Sequence, residues 1–152
     1  MDIVISKSPE DTMRIGAAWG REAHPGWIVA LQGELGAGKT QLVRGMAQGL
    51  ESPARVHSPT FALINLYEGG RLTLNHLDLY RLESPDQVES AGLVDYMWNP
   101  AGVTVVEWGD RWWGANLPAP QPAFLPPGGL RCVLIQTLED TVRELRYDDF
   151  GH

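Results

Sequence analysis

The sequence has only one cysteine, Cys132, in its 152 residues, so it cannot form an internal disulfide bond. We interpret Cys132 as a small apolar residue inside a strand, in a protein of a reducing compartment. No apolar run approaches the roughly 20 residues of a membrane-spanning helix. The first seven residues also lack the pattern of a signal peptide. We therefore expect a cytoplasmic protein that does not engage a membrane.

Basic residues are scarce as well. Twelve lysines and arginines stand against nineteen aspartates and glutamates, a formal net charge of −7, and the only lysines are Lys7 and Lys39. A protein that binds nucleic acid strongly by itself carries a basic footprint, so we expect any contact with nucleic acid to be indirect or confined to a small patch. With 43% apolar residues, residues 1–152 are expected to form one domain with its own core.

Residues 33–40 (GELGAGKT) match the phosphate-binding loop pattern G-x-x-x-x-G-K-[ST] without a mismatch. The apolar residues 27–31 before the loop predict a buried strand, and residues 41–48 after it predict a helix. This order directs backbone N–H groups at a phosphate. Lys39 can place a positive charge on the terminal phosphates, and Thr40 can offer its hydroxyl to Mg²⁺. The alternative is a chance glycine-rich turn.

The remaining pattern predicts a three-layer α/β fold with a sheet that is mostly parallel and has antiparallel additions. A helix begins after Ser8, which can cap it, and ends near Ala23; a second short helix begins after Ser84. The proline-rich residues 114–129 are interpreted as an ordered loop or a semi-rigid connector. The predicted strands span residues 2–6, 27–31, 61–67, 72–79, 102–106, 130–136 and 141–147, and the third and fourth form an antiparallel hairpin.

Residues 56–61 (VHSPTF) form the first further candidate cluster. Pro59 fixes its own φ and favours an extended Ser58, so Thr60 is presented rigidly where a nucleotide-sensing switch would lie. The alternative is a tight entry into a strand, in which Ser58 and Thr60 hydrogen-bond to the local backbone.

The second cluster lies at the end of a predicted strand. With a period of two, His76, Asp78 and Tyr80 share one face. Asp78 is a candidate ligand of a metal ion or water. It could equally cap the chain or pair with Arg81.

The third cluster is Glu107 at the end of the buried strand 102–106. A strand delivers such a carboxylate to the edge of the sheet where ligands bind, so Glu107 is a candidate second anchor for magnesium. The alternative is a solvated acid beyond a core strand. Trp108 is expected either in the core or at the mouth of the site. Trp112 and Trp113 form either core contacts or an exposed aromatic patch.

Four segments together resemble the TsaE (YjeE) family in order, spacing and wording: residues 33–40 (GELGAGKT), 58–61 (SPTF), 76–82 (HLDLYRL) and 107–108 (EW). The resemblance extends from about residue 30 to 110. It implies a bacterial, cytoplasmic ATPase that acts with TsaB and TsaD in making threonylcarbamoyl adenosine, the modified base beside the anticodon. In that scheme the ATPase binds and resets the TsaB–TsaD pair, and contacts tRNA only indirectly.

The resemblance also implies roles for individual residues. ATP phosphates lie on the loop, Thr40 and Glu107 hold Mg²⁺, and Asp78 and Thr60 serve hydrolysis or switching. The expected catalytic residues are Lys39, Thr60, Asp78 and Glu107. The expected nucleotide contacts are Gly33, Leu35, Gly36, Ala37, Gly38, Lys39, Thr40 and Gln41 of the loop region, together with Thr12 and Arg143.

Two other functions fit a phosphate-binding loop. A small-molecule kinase would need an acceptor pocket and an arginine-bearing lid, but the arginines here are scattered. A nucleotide switch would bind without hydrolysis. A GTPase is disfavoured because the base-reading N-K-x-D motif is absent.

Overall fold

The structure is a computed structural model that describes residues 1–34, 38–56, 63–114 and 124–151. Within these ranges the chain forms seven strands and five helices. The strands are β1 (Asp2–Ser6), β2 (Ile28–Gly33), β3 (Ile64–Tyr67), β4 (Leu74–Asp78), β5 (Val103–Glu107), β6 (Leu130–Glu139) and β7 (Val142–Phe150). The helices are α1 (Pro9–Glu22), α2 (Lys39–Gly49), α3 (Pro85–Ser90), α4 (Val94–Trp98) and α5 (Asp110–Trp113).

All seven strands join one sheet in the order β1-β7-β6-β2-β5-β4-β3. The four central strands are parallel to one another, because β2 pairs in parallel with both β5 and β6, and β5 with β4. Antiparallel strands complete both edges: β7 and then β1 beyond β6, and β3 beyond β4. The predicted α/β sheet with antiparallel additions is therefore confirmed, and so is the hairpin of β3 and β4.

Helices cover both faces of the central strands, which makes the fold three-layered. On β2, Val29 and Leu31 pack into the cluster beneath α1 and α2, whereas Ile28 and Ala30 pack into the cluster beneath α3, α4 and α5. All four side chains are fully buried. A strand that is buried on both faces has a continuous apolar sequence, and the apolar run of residues 27–31 predicted β2 for this reason.

Helices α1 and α2 approach each other through glycine. A Cβ added to Gly45 of α2 would lie 2.1 Å from the carbonyl oxygen of Met13, and one added to Gly16 of α1 would lie 2.2 Å from that of Leu42. Only a residue without a side chain allows the two backbones to come this close. The contact fixes α2, and with it the loop lysine, against the start of α1.

Two expectations about buried residues are resolved. Trp113 is fully buried and its indole N–H donates to the carbonyl of Phe124 at 2.9 Å, while Trp112 stacks on the Phe124 ring. The alternative of an exposed aromatic patch at these tryptophans is therefore wrong. Cys132 is buried in β6 as predicted, and burial raises the pKa of its thiol to about 12.

Local sequence signals explain several helix boundaries. Ser8 caps α1 by accepting a hydrogen bond from the Asp11 N–H, with Pro9 in the first turn, and Ser84 caps α3 in the same way. The helices α4 and α5 were not predicted, because five and four residues are too few to show a helical period. None of the helices in the described ranges has the length and apolar character that crossing a membrane requires.

Candidate functional site

The start of α2 lies at the carboxyl edge of the central strands. Gly38 precedes the helix with a φ of 100°, a left-handed conformation that glycine adopts without strain. This conformation places Lys39 and Thr40 in the first turn of α2. The helix therefore begins two residues before the predicted start at residue 41. The predicted contacts Leu35, Gly36 and Ala37 lie outside the described residues.

Lys39 reaches back over the strand that precedes it. Its ammonium nitrogen donates to the carbonyl oxygen of Gly33 at 2.7 Å and lies 4.2 Å from the centre of the Trp108 ring. Burial lowers the pKa of this ammonium, and the carboxylates of Glu107 and Asp78 act in the opposite direction. Because this ammonium is partly removed from water, it interacts more strongly with nearby charges than an exposed lysine would.

Asp78 and Glu107 end two neighbouring parallel strands, and the register of β4 and β5 pairs them directly. The carboxyl ends of parallel strands meet at one edge of a sheet, which is where ligands bind in open α/β folds. Both carboxylates are therefore delivered to the edge from which α2 begins.

Asp78 caps the chain locally, as one of its interpretations predicted, and its role as a ligand of a metal ion or water stays a prediction. Its Oδ1 accepts a hydrogen bond from the Tyr80 N–H at 2.9 Å, as a local cap does, and the residue also lines the central cavity. No ion pair with Arg81 occurs among the described residues. Burial raises the pKa of the Asp78 carboxyl, and the Tyr80 N–H partly offsets this.

Glu107 is not the solvated acid of the alternative interpretation, because it is only 5% exposed. Its Oε2 accepts a hydrogen bond from Nε2 of His76 at 2.5 Å, and the hydroxyl of Tyr67 lies 3.0 Å from Nδ1 of the same ring. His76 is fully buried and Tyr67 nearly so. A carboxylate buried in this way needs such a donor to remain in place.

These residues border a cavity of about 420 Å³, within the size range of small-molecule sites. Five separate parts of the chain form its walls. The lining residues are Pro9 and Thr12 of α1, Gly38, Lys39, Thr40 and Gln41 at the start of α2, Asp78, Tyr80, Glu107 and Trp108 at the strand ends, and Asp140, Thr141 and Arg143 of the β6–β7 hairpin.

The structure thus brings most of the predicted site residues together around one space. Thr12 has its hydroxyl engaged with Ser6 at 2.6 Å, so it borders the cavity with that group already bonded. Arg143 is tied to its own hairpin, since its Nη1 donates to the carbonyl oxygen of Asp140 at 2.8 Å. Thr60 lies outside the described residues.

Trp108 borders the cavity and also packs against the core cluster beneath α3, α4 and α5, so both of its predicted positions apply in part. Its backbone has a φ of 59°, a left-handed conformation that is strained for a bulky residue. The indole contacts the Tyr80 ring, with centroids 5.1 Å apart, and Lys39 lies over its face. Ordinary propensities do not predict this backbone conformation, and no local sequence pattern signals it.

The donor set around the cavity fits a magnesium ion held jointly with phosphates. Thr40 offers a hydroxyl and Glu107 a carboxylate, both hard oxygen donors, and both border the same space. The described residues contain no group of three or more histidine, cysteine, aspartate or glutamate side chains able to hold a metal by themselves. Magnesium in phosphate-binding sites takes one or two protein ligands and completes its shell with phosphate and water, so this sparse set suffices.

Sequence reasoning missed several residues of the site. The hairpin residues Asp140 and Thr141 border the cavity, and Tyr67 contacts the His76 ring that supports Glu107. Tyr80 and His76 were placed in a candidate cluster but were given no role. Periodicity did place His76 on the face of Asp78. The parallel pairing of β4 with β5 was the missing information, because only that register brings His76 next to the strand that ends in Glu107.

Comparisons with known proteins agree with the geometry. A family model described as "Threonylcarbamoyl adenosine biosynthesis protein TsaE" matches residues 6–130. The tRNA threonylcarbamoyladenosine biosynthesis protein TsaE of Treponema pallidum is 45% identical over 107 residues, which are 70% of this chain and 78% of that protein. The protein of the same name from Bacillus subtilis is 38% identical over 145 residues, covering 95% of this chain and 84% of that protein.

A solved structure is similar as well. The crystal structure of YdiB from Bacillus subtilis aligns with a TM-score of 0.70 and 29% identity, covering 96% of this chain and 83% of that one. The family model spans well over half of the chain, and the resemblance that the four motifs carried is confirmed. The chain belongs to the TsaE family.

Proposed function

We propose that this protein binds ATP with Mg²⁺ in the central cavity and hydrolyses it, as a cytoplasmic accessory protein in the formation of threonylcarbamoyl adenosine in tRNA. One observation carries the proposal. Lys39 and Thr40 at the start of α2 face the same cavity as Asp78 and Glu107 at the ends of two adjacent parallel strands. That combination is the minimum that phosphoryl transfer needs: a phosphate cradle, a cation and hard oxygen ligands.

The start of α2 is suited to hold the phosphates. Backbone N–H groups of a first helical turn have no partner within the helix, and the positive end of the helix dipole favours an anion. Lys39 adds a full positive charge at the same point and is held in place by the Gly33 carbonyl and the Trp108 ring. A lysine that is already ordered loses little entropy when the phosphates arrive.

The carboxylates serve the metal and the attacking water. Thr40 and Glu107 would hold Mg²⁺, which supplies charge neutralisation on the phosphate oxygens. Asp78 stands beside Glu107 at the adjacent strand end and would orient the attacking water, assisted by Thr60. Lys39 stabilises the negative charge that develops on the terminal phosphate.

We infer that the isolated protein turns over slowly and that TsaB and TsaD accelerate it. Stabilising the transition state of phosphoryl transfer commonly takes an arginine in contact with the phosphates. Arg143 borders the cavity, but its Nη1 is held by carbonyl oxygens of its own hairpin. The net charge of −7 supports a division of labour in which tRNA is contacted by the partners.

The test compares the two lysines of the chain. Wild-type protein should release phosphate from ATP in a Mg²⁺-dependent reaction, and Lys39→Ala should lower the rate by about 10²-fold or more. Lys7→Ala is the matched control, since Lys7 is exposed and does not border the cavity, and it should retain the wild-type rate. Equal rates for all three proteins would contradict the assignment.

A second arm of the same assay addresses the partners and the competing functions. TsaB and TsaD added together should raise the rate of wild-type protein and leave Lys39→Ala unaffected. Binding without any Mg²⁺-dependent phosphate release, in single turnover and with both partners present, would identify a switch. Transfer of the terminal phosphate to an added metabolite would identify a kinase.

A further inference from the structure

Three buried polar side chains are connected by hydrogen bonds beside the cavity. Only one of them, Glu107, borders the cavity itself. Tyr67 of β3, His76 of β4 and Glu107 of β5 come from three adjacent strands. The hydroxyl of Tyr67 lies 3.0 Å from Nδ1 of His76, and Nε2 of His76 lies 2.5 Å from Oε2 of Glu107. We propose that His76 is a positioning residue that holds the Glu107 carboxylate in the orientation needed to bind Mg²⁺, with Tyr67 fixing the imidazole ring.

The hydrogen-bond inventory of the three groups sets the direction of each bond. A carboxylate only accepts, so Nε2 of His76 carries the proton and donates to Glu107. In the neutral ring Nδ1 is then an acceptor, and the Tyr67 hydroxyl donates to it. With this assignment, both hydrogen bonds of the Tyr67–His76–Glu107 chain pair a donor with an acceptor.

Burial makes the arrangement rigid. His76 is fully buried, Tyr67 is 3% exposed and Glu107 is 5% exposed. The bond from His76 occupies one carboxylate oxygen and leaves Oε1 for another ligand. A metal-binding side chain oriented from behind by a second buried group holds the metal more tightly, and losing such a group commonly costs about 10- to 100-fold in metal affinity.

The same two strands share another buried hydrogen bond between side chains, and it does not involve Glu107. Asn75 of β4 donates to the hydroxyl of Thr104 on β5 at 3.2 Å, and both residues are buried. Neither borders the central cavity. The Thr104 hydroxyl also donates to the carbonyl oxygen of Tyr96 at 2.6 Å. Replacing Thr104 therefore removes buried hydrogen bonds at the same strand pair without removing a contact of Glu107, and it provides the control.

The inference rests on the proposed function, so the test measures binding and uses ADP, which is not turned over. Calorimetry gives the ADP dissociation constant in the presence of Mg²⁺ and in the presence of a chelator. His76→Phe should lose about tenfold or more of the affinity gained from Mg²⁺, as should Glu107→Gln, and it should keep its affinity for metal-free ADP within about twofold. His76→Gln, whose amide N–H can replace the Nε2 donor, should recover most of the gain, and Thr104→Val should retain it.

Each other outcome has a definite meaning. If wild-type protein gains from Mg²⁺ and His76→Phe gains equally, the positioning role is overturned and the proposed function stands. The same conclusion follows if His76→Phe and Thr104→Val lose equally. If wild-type protein binds no nucleotide, or gains nothing from Mg²⁺, the proposed function fails and this inference with it. Should His76→Phe not fold, Tyr67→Phe takes its place, and an unchanged gain from Mg²⁺ in that variant overturns the role.

Discussion

Asp78 and Lys39 are both partly withdrawn from water at the edge of the sheet, and this common cause shifts their pKa values in opposite directions. Burial disfavours the charged form of each group, so it raises the pKa of the Asp78 carboxyl and lowers that of the Lys39 ammonium. The site thus holds its charges at a cost in stability. Such a cost is expected where charged groups serve a ligand that is absent from the isolated chain.

The cost at Asp78 predicts a pH dependence of stability. Since the folded chain binds this proton more tightly than the unfolded chain, the free energy of unfolding falls as the pH rises from about 3.9 through the raised pKa, and stays lower above it. Asp78→Asn lacks this titration. In the absence of nucleotide and metal, the stability of Asp78→Asn relative to wild type should therefore increase over that pH interval, by no more than about 1 kcal/mol. Above the raised pKa the difference should stay constant.

Urea unfolding at a series of pH values measures this difference, and Asp11 provides a control of opposite sign. The Lys7 N–H and then Arg14 lower the pKa of the Asp11 carboxyl. Asp11→Asn should therefore lose stability relative to wild type as the pH rises through the lowered pKa towards the unfolded value. A difference for Asp78→Asn that is flat, or that has the sign of Asp11→Asn, would contradict the account.

At the scale of elements, α2 is positioned by its contact with α1, and glycine makes this contact possible. A methyl group on Gly45 would meet the Met13 carbonyl oxygen at 2.1 Å, far inside van der Waals contact. Gly45→Ala should therefore lower the free energy of unfolding by about 1–3 kcal/mol, although alanine is the better helix former. Urea unfolding measures the change.

The control for that prediction lies on the exposed side of the same helix. Gln48→Ala should change the free energy of unfolding by less than about 0.5 kcal/mol. Gly45→Ala should also weaken nucleotide binding, since displacing α2 from α1 moves Lys39 relative to the strand ends. A Gly45→Ala protein as stable as wild type would show that the two helices are not in the contact described.

The elements also show how far the sequence could be interpreted. Continuous apolar runs predicted β2 and β5, and cap residues predicted α1 and α3, because these signals are local. The short helices α4 and α5 have no periodicity to detect. The bond between His76 and Glu107 depends on the register of strands nearly thirty residues apart in sequence, and no local pattern encodes it.

At the scale of the whole molecule, the cavity gathers residues from both ends and the middle of the chain. Thr12 follows β1, Lys39 begins α2, Glu107 ends β5 and Arg143 belongs to the final hairpin. A ligand bound there contacts segments that are separated in the unfolded chain. Binding is therefore coupled to folding, and a ligand at a hundred times its dissociation constant should stabilise the folded state by about 2.7 kcal/mol.

The central claim is that this cavity holds the phosphates of ATP, with Lys39 as their principal side-chain contact. Calorimetric titration of Mg²⁺-ATP into wild-type, Lys39→Ala and Lys7→Ala proteins tests it most directly. The account predicts one nucleotide per chain for wild type and Lys7→Ala, and an affinity at least about tenfold weaker for Lys39→Ala, since charge-assisted contacts to phosphate contribute about 1.5–3 kcal/mol. No heat of binding with wild type, or equal affinity in all three proteins, would contradict it.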